Sequence, residues 1–275
     1  MYQHMKNLFY LLFLSLFHFN VQAQEKPAKF DTKIMYKFTY QNDSISSASR
    51  KSVFTQLMIG DDESHFQTLS KFRGDSALAL AQGSNMSFYR YGRIEPNNFL
   101  IVKREDIIST YEPVNGMGFK GNNELSYYEE KKVDMQWEIH PDTAHIHNFV
   151  CQKATTDWGG RTWVAWFTMD IPISDGPYKF CGLPGLVLSI SDRDKYFTFD
   201  MVSISKVNGV SVTLDQLRPD LVLQKTTKDN FFKERKKLRN NMTEYALLTG
   251  ARLSEESKVN IRAEMKTDNN HIERH

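Results

Sequence analysis

Three observations predict a mainly β chain: an antiparallel curved sheet, sandwich or open barrel, with helices at its C-terminal end. Apolar and polar side chains alternate with period two through the early part of the chain. A Gly159-Gly160 pair separates two β-rich runs. After Pro219 the apolar spacing becomes helical.

The elements follow in order. The opening has one cation, Lys6, then an apolar run from Leu8 to Phe19 broken by Ser15 and His18, then compact residues at Val21-Gln22-Ala23. Basic start, short apolar core and small-residue cut are the three parts of an export signal, and a bilayer span needs roughly 20 residues. Residues 1–23 are therefore expected to be a cleaved signal peptide. Residues 24–215 are expected to form the β domain, and 216–275 a helical extension.

Ile34, Tyr36, Phe38 and Tyr40 alternate with Met35, Lys37 and Thr39, which predicts a half-buried strand. Lys51 to Ile59 repeats the pattern, and His65 to Leu69 is a shorter strand. Asp75 to Gln82 reads as a helix capped by Asp75 or Ser76. Met86 to Tyr91, Phe99 to Lys103 and Ile107 to Tyr111 read as strands. Val114 to Asn123 is rich in Gly and Asn and reads as a loop.

Met135 to His140 and Ile146 to Thr156 read as strands. Gly159-Gly160 accepts the positive φ of a tight turn, so Cys151–Thr156 and Arg161–Thr168 should form a hairpin. Leu186 to Ser191 and Tyr196 to Ile204 make a second pair, which Val207 to Thr213 extends. Thr227 to Thr249 reads as a helix capped by Thr227 or Asp229. Glu255 to Lys266 reads as a second, capped by Ser254. The polar tail from Asp268 to His275 is expected to fray.

The chain has 35 Lys+Arg against 33 Asp+Glu. Such balance gives no reason to expect nucleic acid or an anionic membrane as partner. No stretch after the signal is long and apolar enough to span a bilayer as a helix. Cys151 and Cys181 both follow the signal, and an oxidising compartment favours pairing them. The other reading is two buried thiols packed as small apolar groups.

The region around these cysteines carries a series of linked motifs. Cys151-Gln152-Lys153-Ala154-Thr155-Thr156 is followed by Gly160-Arg161, Ala165-Trp166-Phe167-Thr168 and Ile171-Pro172-Ile173. Then come Gly176-Pro177-Tyr178-Lys179-Phe180 and Gly182-Leu183-Pro184-Gly185-Leu186. This series resembles the GLPGLI family of exported proteins from Bacteroidetes, with Val187 where the name has Ile. The motif-rich part covers Phe149 to Ser203. Asn269-Asn270-His271-Ile272-Glu273 faintly resembles the family's ending, without its Pro and final Leu. The resemblance implies an exported protein, periplasmic or outer-membrane-associated or secreted. Genes of the family often lie near outer-membrane receptors of the TonB-dependent type, which makes such a receptor a candidate partner. The family carries over no catalytic residues.

Physics reads the motif in two ways. Pro fixes φ and Gly reaches conformations other residues avoid, so Gly176-Pro177 and Gly182-Leu183-Pro184-Gly185 form a rigid corner. Leu183, Leu186 and Leu188 would anchor it in the core, around a Lys179 set between Tyr178 and Phe180. The alternative is a binding loop on a rigid scaffold.

Other chemistry is weighed residue by residue. His145 and His147 would share one face of a strand and, with His140, Asp142 or His65, start a Zn or Cu site. Solvent-facing imidazoles are the plainer reading, and no cofactor is expected. Asp157, Arg161, Asp170, Asp175, Lys179 and Asp192 crowd the motif and could serve carboxylate-based hydrolysis. Arg161 and Asp192 could equally pair across strands. Trp137, Trp158, Trp163 and Trp166 are core or contact-surface candidates, and Trp163 and Trp166 fall on opposite faces of one strand. The sequence contains no G-x-S-x-G, H-E-x-x-H or phosphate loop. The leading expectation is a non-enzymatic binding or accessory protein of the cell envelope. The alternatives are a metal-dependent or carboxylate-based hydrolase and a structural surface protein.

Overall fold

The structure is a computed structural model, and it describes residues 28–70, 99–112, 124–132, 135–210, 222–248 and 252–274. The expected signal, the helix at 75–82, the strand at 86–91 and the loop at 114–123 lie outside the described residues.

Among the described residues twelve strands form one sheet. In chain order they are β1 (Lys29–Gln41), β2 (Arg50–Gly60), β3 (Glu63–Thr68), β4 (Leu100–Arg104), β5 (Ile107–Glu112) and β6 (Glu124–Lys131). They continue with β7 (Glu138–Ile146), β8 (Phe149–Trp158), β9 (Arg161–Thr168), β10 (Leu186–Asp192), β11 (Phe197–Val210) and β12 (Val222–Lys225). Three helices follow: α1 (Lys228–Asn240), α2 (Met242–Leu248) and α3 (Glu255–Thr267). The strand order is β12-β6-β5-β4-β3-β2-β1-β11-β10-β9-β8-β7. Every pairing is antiparallel except β12 on β6. The sheet is open, because β12 and β7 are its two ends. It is therefore a single curved sheet, not a sandwich.

The alternation read in β1 sets its inner face. Ile34, Tyr36, Phe38 and Tyr40 are all buried. Phe38 stacks on Phe199 of β11, ring centroids 4.2 Å apart. The sheet wraps around the segment between β9 and β10. Residues 175–181 of that segment are buried one after another, where a surface connection would be expected. Their neighbours come from near opposite ends of the strand order: Glu130 on β6, Ser64 on β3 and Lys103 on β4, Trp158 on β8 and Trp163 on β9. A flat sheet could not bring these together. The twist of antiparallel strands supplies the curl, and the segment fills it.

Several elements differ from the sequence reading. β6 was not anticipated, because consecutive Tyr127-Tyr128 and Glu129-Glu130 hide its alternation. β12 is four residues long, and its parallel partner lies far away in sequence. β7 runs through Pro141, where the expected strand stops at His140. The pairing with β8 slips between Ile139 and Thr143, so the proline sits in an irregularity of an edge strand. Val207 to Val210 continues β11 and forms no separate strand. The long helix divides at Asn241, whose N–H bonds Lys237 O and Leu238 O at 3.2 Å. Thr227 caps α1 and Ser254 caps α3, as their sequence positions indicate.

The tail does not fray. The N–H groups of Asn269 and Asn270 bond Asn42 O, and Arg274 N–H bonds Gly159 O at 2.8 Å. Ile272 packs on the core. Backbone bonds to Asn42, just after β1, and to the β8–β9 turn hold a segment that composition alone marks as loose.

Candidate functional site

The site is the segment between β9 and β10 with the three polar clusters that hold it. Its backbone is set by close approach. A Cβ on Gly185 would lie 2.0 Å from Thr168 O, so only glycine lets the chain turn back onto β9. Gly159 and Gly160, at φ +59° and +71°, form the β8–β9 turn with the left-handed geometry their sequence predicts. Leu183, Leu186 and Leu188 are buried, as expected of anchors, while Gly182 and Pro184 remain exposed. Trp137 closes over Gly182 and donates from Nε1 to Cys181 O at 2.8 Å.

The first cluster surrounds Asp175 and Gly176. Ser64 Oγ donates to Asp175 Oδ2 at 2.5 Å, and the amide of Gly176 donates to Asp175 Oδ1 at 2.7 Å. Lys103, which is wholly buried, pairs with Asp175 and donates to Gly176 O at 2.7 Å. Pro177, next in the chain, accepts at its carbonyl from Phe180 N–H.

The second cluster surrounds Lys179. Its side chain is 0% exposed. Nζ donates to Glu273 Oε1 at 2.6 Å and to Tyr128 OH at 2.8 Å, and it pairs with Glu130. Tyr178 OH donates to the same Glu273 oxygen at 2.6 Å. Lys228 holds Glu273 Oε2 at 2.7 Å and also pairs with Glu130. The rings of Tyr128, Trp158 and Tyr178 lie 4.7 to 5.5 Å from Nζ, within cation–π range. Two ammoniums thus face two carboxylates in a nearly dry aromatic cage. Burial, and then Glu273, push the Tyr178 hydroxyl well above its ordinary pKa, so it stays a donor. Burial alone would lower Lys228, but Glu273 and Glu130 outweigh it and hold the ammonium above its ordinary value.

The third cluster surrounds Arg161. It reaches Asp192 Oδ2 at 3.0 Å, Asn270 Oδ1 at 2.5 Å and His271 O at 2.6 Å, and it lies 4.6 Å from the Phe197 ring centre. Asn270 in turn donates to Gln41 O at 2.7 Å. This confirms the cross-strand pair read from the sequence and adds the tail to it. Burial lowers the Arg161 pKa against the pull of Asp192, and burial raises that of Asp192.

The remaining expectations divide. Asp157 and Asp170 are exposed, and Asp157 accepts from Thr162 at 2.6 Å. The acidic residues near the motif are therefore scattered over separate partners and form no single carboxylate site. Trp163 is wholly buried and Trp166 half-buried on the other face. The histidines do not converge. β7 ends at Ile146, and His147 lies in the following turn at φ +52°, bonded to Met201 O at 2.8 Å. It does not share a strand face with His145. His140 bonds Thr155 Oγ1 at 2.7 Å, and His145 is exposed. His65 pairs with Glu63 at 2.7 Å. Among the described residues no three His, Cys, Asp or Glu side chains group as a metal site.

The bridge between Cys151 and Cys181 is not formed. Both thiols are free and buried. Burial pushes both thiol pKa values up, so each is held as a small apolar neutral group.

Sequence reasoning missed Tyr128, Glu130 and Glu273 as partners of Lys179, and Lys228 as the second cation on the two carboxylates. One signal was available: the faint similarity of the tail to an ending that accompanies the same motif. Glu273 belongs to that ending.

Fold and site together define a class: an open, curved, mainly antiparallel sheet closed around a Gly/Pro-rich loop. Residues 159–189, from the hairpin turn to β10, match the model of a family described as "Protein of unknown function (Porph_ging)". A search of curated proteins finds no match. Among solved structures the chain is similar to PNGF-II in two crystal forms. In the P21 form the TM-score is 0.51 and identity 13%, covering 76% of this chain and 34% of that one. In the C2 form the values are 0.52 and 14%, covering 77% and 34%. The chain spans about a third of the length of those structures, and at such identity the likeness is one of fold alone.

Proposed function

We propose that this chain is an exported envelope protein of the GLPGLI type, acting as a non-enzymatic binding or accessory protein linked to outer-membrane transport. The export pattern of residues 1–23 and the linked motifs of 149–203 support this reading, and the matched region at 159–189 overlaps those motifs. The observation that carries it is how the motif uses its ionisable groups. Asp175, Lys179 and Arg161 are each buried against internal partners, and Cys181 is a buried neutral thiol. A catalytic site needs groups that meet substrate, and these meet one another. The motif acts as the keystone of the sheet, and contact with a partner falls to the outer face and exposed loops.

The test is capture in the native envelope. Cells expressing a tagged full chain are crosslinked, fractionated and analysed for the chain's N-terminus and its attached proteins. The expected result is a mature N-terminus at Gln24 and recovery with an outer-membrane receptor of the TonB-dependent type. An unprocessed chain in the cytosol overturns the reading. So does hydrolytic turnover that Asp175→Asn abolishes.

A further inference from the structure

We propose that Lys179 and Glu273 become joined by an amide bond between their side chains, formed by the folded chain itself. The inference rests on five convergent groups and not on the ion pair alone. Lys179 Nζ, wholly buried, touches Glu273 Oε1 at 2.6 Å, and the Glu273 side chain is only 1% exposed. Tyr178 OH donates to the same oxygen at 2.6 Å, and Lys228 holds the other at 2.7 Å. Two donors on one carboxyl polarise its carbon toward attack. Glu130, the second carboxylate on Nζ, is placed to accept a proton from it.

The step balances. Nζ attacks Cδ of Glu273, and an Nζ–Cδ bond forms. One Cδ–O bond breaks. Glu130 relays two protons from Nζ to the departing oxygen, which leaves as water. An ammonium and a carboxylate become a neutral amide and one water, with no change of oxidation state. Enclosure favours this direction twice. Fixed intramolecular geometry is worth an effective concentration of roughly 10⁵ M or more. Replacing two buried charges by an amide also removes their desolvation cost. Lys228 touches the same carboxylates but is 24% exposed, so water competes there. The link would span 94 residues, in a chain whose two thiols are unpaired.

Intact-mass spectrometry of the folded full chain, unfolded only for the measurement, decides the matter. The chain is expected to be one water lighter than the sequence that begins at its measured N-terminus, and digestion should yield a branched peptide joining Lys179 to Glu273. Glu273→Ala should restore the unlinked mass. Glu130→Gln, which keeps the side-chain shape, should leave most of the chain unlinked. A wild-type mass equal to that of the sequence from its measured N-terminus, or a branched peptide ending at Glu130, overturns the proposal, whether or not the variants fold.

Discussion

A single carbon decides whether the motif corner can close. Gly185 has room for a hydrogen only, because Thr168 O and C and Met169 Cα line the space a side chain would take. Those neighbours are backbone, so they cannot swing aside. Gly185→Ala should cost about 3 kcal/mol, read as a fall in the urea midpoint with an unchanged slope; no shift would mean the corner opens freely. Glu63 shows how charge acts at the same scale. Burial pushes its carboxyl up, but hydrogen bonds and charge from His65 and Arg104 outweigh this and hold it below the usual 4.5. A lowered carboxylate contributes stability that is present above pH 4.5 and lost as pH falls through its folded value. Glu63→Gln should therefore flatten the acid limb of the stability curve, with titration of wild type and variant side by side as the measurement.

The tail and the β8–β9 hairpin act together as elements. Asn270→Ala would leave the buried Arg161 guanidinium and Gln41 carbonyl short of partners, at a cost of about 2–4 kcal/mol. Amides at the Gly159-Gly160 turn should then exchange faster, and unchanged exchange there would count against the docking. Docking should also respond to acid. Burial, with Arg239, Arg235 and Arg161 close by, lowers the His271 pKa from 6.5 to about 3. A histidine held neutral this way contributes stability above pH 6.5 that fades as pH drops toward 3. Turn exchange should accelerate across that window in the wild type and less so in His271→Asn. These elements were unequally legible. β9 and α3 could be read almost to the residue, and the core of β1 from Ile34 to Tyr40 without its first five residues, because period and caps are local signals. β6 and β12 could not, since their evidence is a distant pairing. The tail was misjudged because its polar residues look like those of a loose end. Asn270 and Glu273 are buried by partners at positions 161 and 179, which no window on the tail contains. The motif's anchoring leucines were visible as apolar punctuation, while the ionic cage around Lys179 needed three dimensions.

At the scale of the whole molecule, the centre of the sheet joins chain segments far apart in sequence. β1 pairs with β11, Lys29 opposite Val210, between a run that steps from β2 to β6 and one that steps back from β11 to β7. Non-local pairing must be reached before it is rewarded, so folding should take on the order of seconds. Pulse-labelled exchange should protect the β8–β9 hairpin before the β1–β11 ladder, and simultaneous protection would contradict this order. Among the described residues the same open architecture leaves β7 with one long side unpaired by any strand. Pro141, in the irregular stretch between Ile139 and Thr143, has no N–H to offer an added strand and breaks the regularity of this edge. Replacing Pro141 with valine should make the rim a template for other chains, and a monodisperse preparation should turn into growing fibrils or amorphous aggregates at high concentration.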